Sequence, residues 1–201
     1  MNFNKKQKKV LIIVAHPDDE TIWSGGLILH NKKNWDITIV SLCRASDADR
    51  APKFKKICKH LGAKKSFIFD LEDNKLLPLK PNEIFALLKP FILISKKRPY
   101  DLIVTHNKNG EYGHIRHKET HNAVKQLIKE KELRTKQTMF FSYQKKGSYA
   151  YPNSNAHKFI SLTYPEYLEK KRLITQVYGF QLGGFEEICC RKKEAFNLLK
   201  I

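Results

Sequence analysis

The sequence predicts an α/β fold, a single domain over 1–201 with a Rossmann-like, largely parallel sheet flanked by helices. Short β-rich runs alternate along the chain with longer segments of helical periodicity, the pattern that parallel sheets with crossover helices produce. The chain has 201 residues, 41% of them hydrophobic, and no internal repeat or linker divides it. A chain of this length can bury roughly 70% of its unfolded surface, enough for one core and a pocket.

Five short segments have the composition of buried strands. The first, VLIIVA (10–15), is continuously apolar and rich in β-branched residues, as expected of a central strand covered on both faces. In chain order, the predicted strands are 10–15, 36–43, 66–71, 101–107 and 138–143. Open parallel sheets bind ligands beyond the carboxyl ends of their strands, so we expect the functional residues there.

The segments between and after these strands predict six helices. Pro81 is well placed to begin the third helix, and Pro90 within it should kink or split it. Gly62 after KICKHL is typical of a helix end. The predicted helices are 19–32, 50–61, 82–97, 115–132, 164–178 and 187–199.

The charge of the chain is strongly basic, with 38 Lys and Arg against 20 Asp and Glu and a formal net charge of +18. Such a charge would attract phosphorylated sugars, anionic lipid head groups or nucleic acid. Alternatively, it reflects a lysine-rich composition on solvated faces, because KK pairs recur along the whole chain. A basic nucleic-acid-binding α/β domain is the alternative function that this charge suggests. The sequence lacks a helix-turn-helix, zinc-finger or RNP signature, so we do not favour a nucleic-acid partner.

The cysteines and the hydropathy pattern indicate a soluble, cytoplasmic protein. Cys43, Cys58, Cys189 and Cys190 form no CxxC pair, which favours reduced thiols over a disulfide framework or zinc finger. The sequence contains no apolar run of the ~18 residues that a membrane span requires, and no signal-peptide cleavage site.

The first polar cluster, His16-Pro17-Asp18-Asp19-Glu20, follows the first strand directly. A single Asp would suffice to cap the helix that begins here. Two Asp, a Glu and a His exceed what a cap needs, because like charges this close repel one another unless a cation neutralises them. We therefore favour a metal or catalytic site over a cap.

The second cluster follows the fourth predicted strand and runs from Gly113 to His121. On a helix, His114, His117 and His121 would share one face by their i, i+3, i+7 spacing. Imidazole suits zinc, and a catalytic zinc takes three protein ligands and leaves a position for water. His16, one Asp of the first cluster and one of these histidines would complete such a set.

Together, AHPDDE after one strand and GHxxH after another resemble the motifs of the LmbE-like, or PIG-L, family of zinc-dependent deacetylases. That family includes the enzyme that deacetylates N-acetylglucosaminyl-phosphatidylinositol. Further matches are Trp23-Ser24-Gly25-Gly26, a helix ending in LG, and RPYDLIVTH before the second motif. The chain from about residue 144 onward is the least diagnostic.

The resemblance implies a de-N-acetylase acting on an N-acetylated, GlcNAc-type sugar and releasing acetate. It implies that His16, Asp19 and His117 bind Zn²⁺, with Fe²⁺ as an alternative metal. It also implies that Asp18 is the general base and that His114 is the acid or oxyanion stabiliser. His121 remains a second choice as metal ligand, since His117 and His121 also form an i, i+4 pair.

One departure from the family pattern concerns the acid role. Many relatives carry Asp or Asn just before the ligand His, where this chain has Arg116. A nearby cation would lower the pKa of His114. We expect either that Arg116 turns outward or that Glu111 or Glu119 takes over the pairing; otherwise the chain is a catalytically degenerate member.

The sugar's carrier is open, because phosphate, nucleotide, lipid or free saccharide are all compatible with the motifs. Arg44, Arg50 and Arg98 lie near predicted strand ends or loops and are the candidate substrate-binding residues. Gly25 and Gly26 inside the first helix indicate either a close backbone approach to the metal loop or substrate, or a helix that starts or bends there.

Overall fold

A seven-stranded sheet forms the centre of the protein in the computed structural model, which describes residues 7–199. The strands of this sheet are β1 (Lys8–Val14), β2 (Trp35–Ser41), β3 (Lys65–Ile68), β4 (Leu102–Thr105), β5 (Thr138–Phe141), β8 (Lys158–Ser161) and β9 (Lys193–Leu198). Their order is β3-β2-β1-β4-β5-β9-β8, and the first five are parallel while β9 and β8 are antiparallel. A separate hairpin pairs β6 (Tyr143–Lys146) with β7 (Tyr149–Pro152). The predicted α/β fold with a largely parallel sheet is confirmed.

Helices cover both faces of the sheet. They are α1 (Asp19–Asn31), α2 (Arg50–His60), α3 (Pro81–Lys97), α4 (Ile115–Lys129), α5 (Tyr164–Arg172) and α6 (Phe185–Cys189), with a π-helix (Leu173–Tyr178) directly after α5. Successive β1 side chains point to opposite faces, so Ile12 joins a core with α1 and α2, whereas Ile13 joins a core with α3 and α4. This two-sided burial is why β1 reads as a continuous apolar run.

The amino-terminal elements match their predictions closely. The first five strands and the first four helices all form, and Pro81 begins α3 as expected. Gly62 adopts φ 80 just beyond the end of α2, in the left-handed region that glycine tolerates at helix ends. α3 runs unbroken through Pro90, so the predicted split is wrong. Pro90 and Ala86 are both exposed, and water can bond the Ala86 carbonyl that Pro90 leaves without an N–H partner.

The predicted helix over 187–199 is wrong. α6 ends at Cys189, and the following residues form β9, which pairs with β5 on one side and β8 on the other. Pairing covers the edge that β5 would otherwise expose, and Phe196 packs on Phe141, so tertiary contacts override the local helical pattern. The predicted helix over 164–178 is helical throughout, but its last six residues are π-helical.

The cysteines and the helix lengths bear on the expected cellular setting of the chain. All four cysteines are buried free thiols. Within residues 7–199, no helix is both long enough and apolar enough to cross a membrane.

Candidate metal centre and catalytic pocket

The two polar clusters meet at the carboxyl edge of the sheet. β1 and β4 are neighbouring strands, so residues 16–20 after β1 lie beside residues 106–117 after β4. The chain leaves β1 toward β2 on one side and returns to β4 on the other, which makes this the switch point at which α/β sheets bind ligands. α1 and α4 then begin at Asp19 and Ile115 and carry the clusters' later residues.

Three potential ligand atoms form a triangle at this edge. His16 Nδ1, Asp19 Oδ2 and His117 Nε2 are separated pairwise by 3.3 Å. Zinc binds imidazole nitrogen and carboxylate oxygen at about 2.0–2.1 Å, so ligand atoms in a tetrahedral zinc shell lie about 3.3–3.4 Å apart. The three atoms therefore fit three corners of such a shell.

Each ligand side chain is held by a second contact. The Asp19 carboxylate accepts the His16 backbone N–H at 2.8 Å and the Trp23 indole N–H at 2.7 Å. His16 Nε2 bonds Asp73 Oδ1 at 3.0 Å, and His117 Nδ1 bonds the Glu111 carboxylate at 2.6 Å. A carboxylate on the outer nitrogen of a ligating imidazole fixes its tautomer and orientation.

Glu111 and Asp73 are strongly acidic for this reason. Burial opposes ionisation of Glu111, but His106 and His117 lower its pKa to about 2. Burial likewise opposes ionisation of Asp73, and His16 with Arg44 lowers the pKa of that group to about 2. Both groups are therefore carboxylates at neutral pH and can accept the imidazole N–H groups.

His106, which the sequence reasoning did not single out, completes this outer shell. Its Nε2 accepts the Ala15 backbone N–H at 2.9 Å, so the ring proton is on Nδ1, which donates to Glu111 at 2.8 Å. Both ring nitrogens are thus occupied, and His106 supports the site without offering a ligand atom. Its position directly after β4 was the available sequence signal.

Asp18 sits beside the triangle in an unusual backbone conformation. Its φ of 121 is rare for any residue other than glycine, and such conformations persist at functional sites when the surroundings hold them. Its side chain makes no capping hydrogen bond to α1, which argues against the cap interpretation. Instead, its Oδ2 accepts a hydrogen bond from Arg50 at 2.9 Å. Burial and the adjacent Asp19 raise the pKa of Asp18, while Arg50 opposes that shift.

His114 lies at the N-terminus of α4 with one ring nitrogen already bonded. Its Nδ1 accepts the Arg116 backbone N–H at 3.3 Å, so the neutral ring carries its proton on Nε2. Burial, followed by the neighbouring His117 and His16, lowers the pKa of His114 to about 4. At neutral pH, His114 is therefore a neutral hydrogen-bond donor.

A model of the family described as GlcNAc-PI de-N-acetylase (PIG-L) matches residues 11–128, more than half of the chain. The chain belongs to the PIG-L family. It is also 28% identical over 131 residues to an uncharacterized protein of Acanthamoeba polyphaga mimivirus. The aligned segment covers 54% of this chain and 52% of that protein. The chain thus spans about half the length of that relative.

Solved structures share the fold at low sequence identity. The N,N'-diacetylchitobiose deacetylase from Pyrococcus horikoshii aligns with a TM-score of 0.68 and 17% identity over 97% of this chain and 85% of the other. The 4-carboxy-2-hydroxymuconate hydratase GalB from Pseudomonas putida KT2440 aligns with a TM-score of 0.61 and 13% identity over 97% of both chains. Since both a deacetylase and a hydratase have this fold, the reaction must be argued from the site.

Arg116, the departure from the PIG-L pattern, does not point into the site. It turns away from the site but does not reach solvent, because it is fully buried. Its guanidinium bonds Glu119 at 2.6 Å and Glu72 at 2.5 Å. Glu119 therefore pairs with Arg116 and Glu111 with His117, and the expected pairing of either carboxylate with His114 is not formed.

The remaining predicted residues divide between the site and other regions. Arg44 bonds Asp73 at 2.7 Å and Arg50 bonds Asp18, so the structure brings both to the pocket. Arg98 follows α3 at the amino edge of the sheet, where Lys9 of β1 bonds its carbonyl, and the structure does not bring it to the site. His121 turns away, with Nδ1 on the His106 carbonyl at 2.9 Å and its ring against Phe140.

The two glycines of α1 approach the carboxy-terminal segment, not the metal loop or substrate pocket. A Cβ on Gly26 would lie 2.4 Å from Leu162, and Glu194 accepts the Gly26 backbone N–H at 2.8 Å. α1 already begins at Asp19, so neither glycine marks its start.

A pocket of ≈ 220 Å³ opens at His16, Asp18, Asp19 and His114. Tyr112, Phe185 and Glu186 also line it and were missed by the sequence reasoning. Tyr112 directly precedes the second motif, and that adjacency was the available signal. Phe185 and Glu186 come from the carboxy-terminal quarter, in which no motif marks them. The lining residues are His16, Pro17, Asp18, Asp19, Ile22, Trp23, Arg44, Asp47, Arg50, Asp73, Tyr112, His114, Phe185 and Glu186.

Proposed function

We propose that the protein is a zinc-dependent hydrolase that removes the acetyl group from an N-acetylated saccharide, with His16, Asp19 and His117 as metal ligands. The observation that carries this proposal is the 3.3 Å triangle of ligand atoms beside the carboxylate of Asp18. PIG-L membership supplies the reaction class. A bound zinc ion would polarise the amide carbonyl and lower the pKa of a water molecule.

Ferrous iron is the alternative metal, because two histidines and a carboxylate suit iron(II) as well as zinc. We propose zinc, since three protein ligands with a position left for water are typical of catalytic zinc sites.

Three other groupings of potential ligand atoms lie close together. His16 with His114 and His117 shares two members with the proposed set, and the other two groupings fit a metal less well. His106 has both ring nitrogens hydrogen-bonded, which argues against a set of Asp19, His106 and His117. A set of His16, Cys43 and Asp73 would need a thiolate, and burial raises the pKa of Cys43. Metal ligation by cysteine requires the deprotonated form.

Asp18 is the proposed base. Its carboxylate takes a proton from the water that attacks the acetamide carbon, and Arg50 holds one carboxylate oxygen in place. The C–N bond then breaks, and the same proton passes from Asp18 to the nitrogen that leaves as a free amine. The products are acetate and a deacetylated sugar, so no further reactant is needed.

His114 is the proposed oxyanion stabiliser. Its low pKa makes it a poor acid at neutral pH, but its neutral Nε2–H can donate to the carbonyl oxygen as negative charge develops there. Of the two roles that the family resemblance implied, the geometry supports this one.

The charge of the pocket favours an uncharged saccharide over a phosphorylated one. Arg44 and Arg50 are already paired with pocket carboxylates, so neither is available to a phosphate without losing that contact. Five carboxylates line the pocket against two guanidinium groups, although the whole chain has a net charge of +18. The pocket carboxylates are those of Asp18, Asp19, Asp47, Asp73 and Glu186.

The test is an acetate-release screen over N,N'-diacetylchitobiose, N-acetylglucosamine, its 6-phosphate and UDP-N-acetylglucosamine, with zinc or with chelator. We expect zinc-dependent release that Asp18→Asn lowers by about 10²–10⁴-fold with zinc content unchanged. Asp19→Asn should lose both zinc and activity, because an amide oxygen is the weaker ligand. Asp36→Asn, a surface change, is the control. Acetate release by Asp18→Asn at the wild-type rate would remove Asp18 from the mechanism.

A further inference from the structure

The carboxy-terminal quarter lies outside the family match over residues 11–128, yet it reaches the proposed base. We infer that Tyr178 and Phe180 are positioning residues that hold Asp18 from two sides. This inference rests on the proposed role of Asp18 as base. One contact fixes the Asp18 backbone and the other fixes its carboxylate.

The backbone contact runs through Glu20. Glu20 is fully buried, and its Oε2 accepts the Asp18 backbone N–H at 3.1 Å. Its Oε1 accepts the Tyr178 hydroxyl at 2.9 Å and the Thr21 hydroxyl at 2.6 Å. Because Asp18 has a φ of 121, its backbone needs such surroundings to keep this conformation. Tyr178 thus orients the carboxylate that holds the Asp18 amide.

The carboxylate contact runs through Arg50. The Arg50 guanidinium donates to Asp18 Oδ2 at 2.9 Å and lies 4.2 Å from the centre of the Phe180 ring. An aromatic face attracts a guanidinium and restricts its orientation. Phe180 therefore limits the directions from which Arg50 can hold the base.

The π-helix brings both side chains to these places. Tyr178 is its last residue, Gly179 turns the chain with φ 83, and Phe180 follows. Each extra residue in a helical turn rotates the side chains after it by about 100°, which is why π-helical segments are frequent at functional sites. Lys53 from α2 also bonds the Tyr178 carbonyl at 2.8 Å, so the end of the π-helix is anchored to the element that carries Arg50.

The first test is Tyr178→Phe, which removes only the hydroxyl. We expect kcat to fall about tenfold while KM and zinc content stay at wild-type values, because the base is displaced but the metal shell is not. Tyr100→Phe is the matched control, since Tyr100 is equally buried at the amino edge of the sheet. Wild-type kcat in Tyr178→Phe, or a parallel loss of zinc, would overturn the inference.

A double-mutant cycle separates positioning from general loosening. If Tyr178 acts through Asp18, adding Tyr178→Phe to Asp18→Asn leaves kcat at the value of Asp18→Asn alone. If the losses in kcat of the two single variants multiply in the double variant, Tyr178 does not act through Asp18.

The second contact is tested at Phe180. Phe180→Leu should lower kcat, whereas Phe180→Tyr, which keeps the aromatic face, should keep kcat at the wild-type value. Equal kcat for these two variants would remove Phe180 from the positioning role.

A measurement independent of turnover keeps this inference distinct from the proposed function. In Tyr178→Phe, the Asp18 amide should exchange its hydrogen at least about tenfold faster than in the wild type, whereas Tyr100→Phe should leave it unchanged. Unchanged exchange would refute the positioning role even in an active enzyme. If Tyr178→Phe exchanges the Asp18 amide faster but the wild-type protein releases no acetate, the positioning contact stands and only the deacetylase proposal is contradicted.

Discussion

Glu111→Gln provides a sharp test of how the outer shell supports the metal site. One Glu111 oxygen accepts N–H groups from both His106 and His117, at 2.8 and 2.6 Å, while the other accepts the Asn107 backbone N–H at 2.9 Å. Glutamine keeps one carbonyl oxygen and adds an NH₂ group, so in either orientation a buried N–H faces another donor. His106 cannot adapt by changing tautomer, because its Nε2 is bonded to Ala15.

The expected effect on zinc affinity follows from these contacts. An unsatisfied buried donor costs about 1–3 kcal/mol, and loss of an outer-shell partner of a metal ligand weakens binding by about 10–100-fold. The 10–100-fold weakening corresponds to a loss of about 1.4–2.7 kcal/mol in zinc binding, which lies within the cost of an unsatisfied donor.

The assay is competition for zinc against a chromophoric chelator, with Glu119→Gln as control. Glu119 lies on α4, the helix that carries His117, and bonds Arg116, but it does not touch a proposed ligand. We expect Glu119→Gln to bind zinc with wild-type affinity. Equal zinc dissociation constants for Glu111→Gln and the wild type would refute the proposed outer shell, as would equal weakening by both variants.

Three further predictions concern packing, burial and substrate charge. Gly26→Ala should lower the free energy of unfolding by about 1–3 kcal/mol, because the added Cβ clashes with Leu162. Gly25→Ala should not lower it, because no neighbouring atom lies closer than 3.5 Å to the added Cβ, and urea denaturation compares the two variants. Glu194→Gln should lower the free energy of unfolding by about 3–5 kcal/mol, because it removes the ion-pair partner of the fully buried Lys170. Adding Lys170→Met should recover part of that loss in the same assay. The kcat/KM for N,N'-diacetylchitobiose should exceed that for N-acetylglucosamine 6-phosphate by at least about tenfold, since like charges repel across the pocket, and the reverse order would contradict the charge argument.

The parallel half of the fold was predictable because its signals are local. β1 is buried on both faces and therefore reads as an unbroken apolar run, and Pro81 and Gly62 mark helix ends through their own backbone preferences. β9 was not predictable in this way. Its strand conformation depends on pairing with β5 and β8, which the local sequence does not encode.

The site shows the same division. His16, Asp19 and His117 stand in motifs that follow two neighbouring parallel strands, so the sheet brings them together. Asp73 reaches His16 from 57 residues away, out of a loop without a motif, and no spacing rule indicates that contact. Arg98 was wrongly expected at the site because the residues before a strand lie at the opposite edge of the sheet from those after it.

We propose that one zinc-type ion is held by His16 Nδ1, Asp19 Oδ2 and His117 Nε2. Anomalous diffraction at the zinc edge, from crystals grown with zinc, locates such an ion. We expect one strong peak about 2.0–2.2 Å from each of these three atoms. A peak at Cys43 and Asp73, a peak ligated by His121, or the absence of a peak at saturating zinc would contradict it.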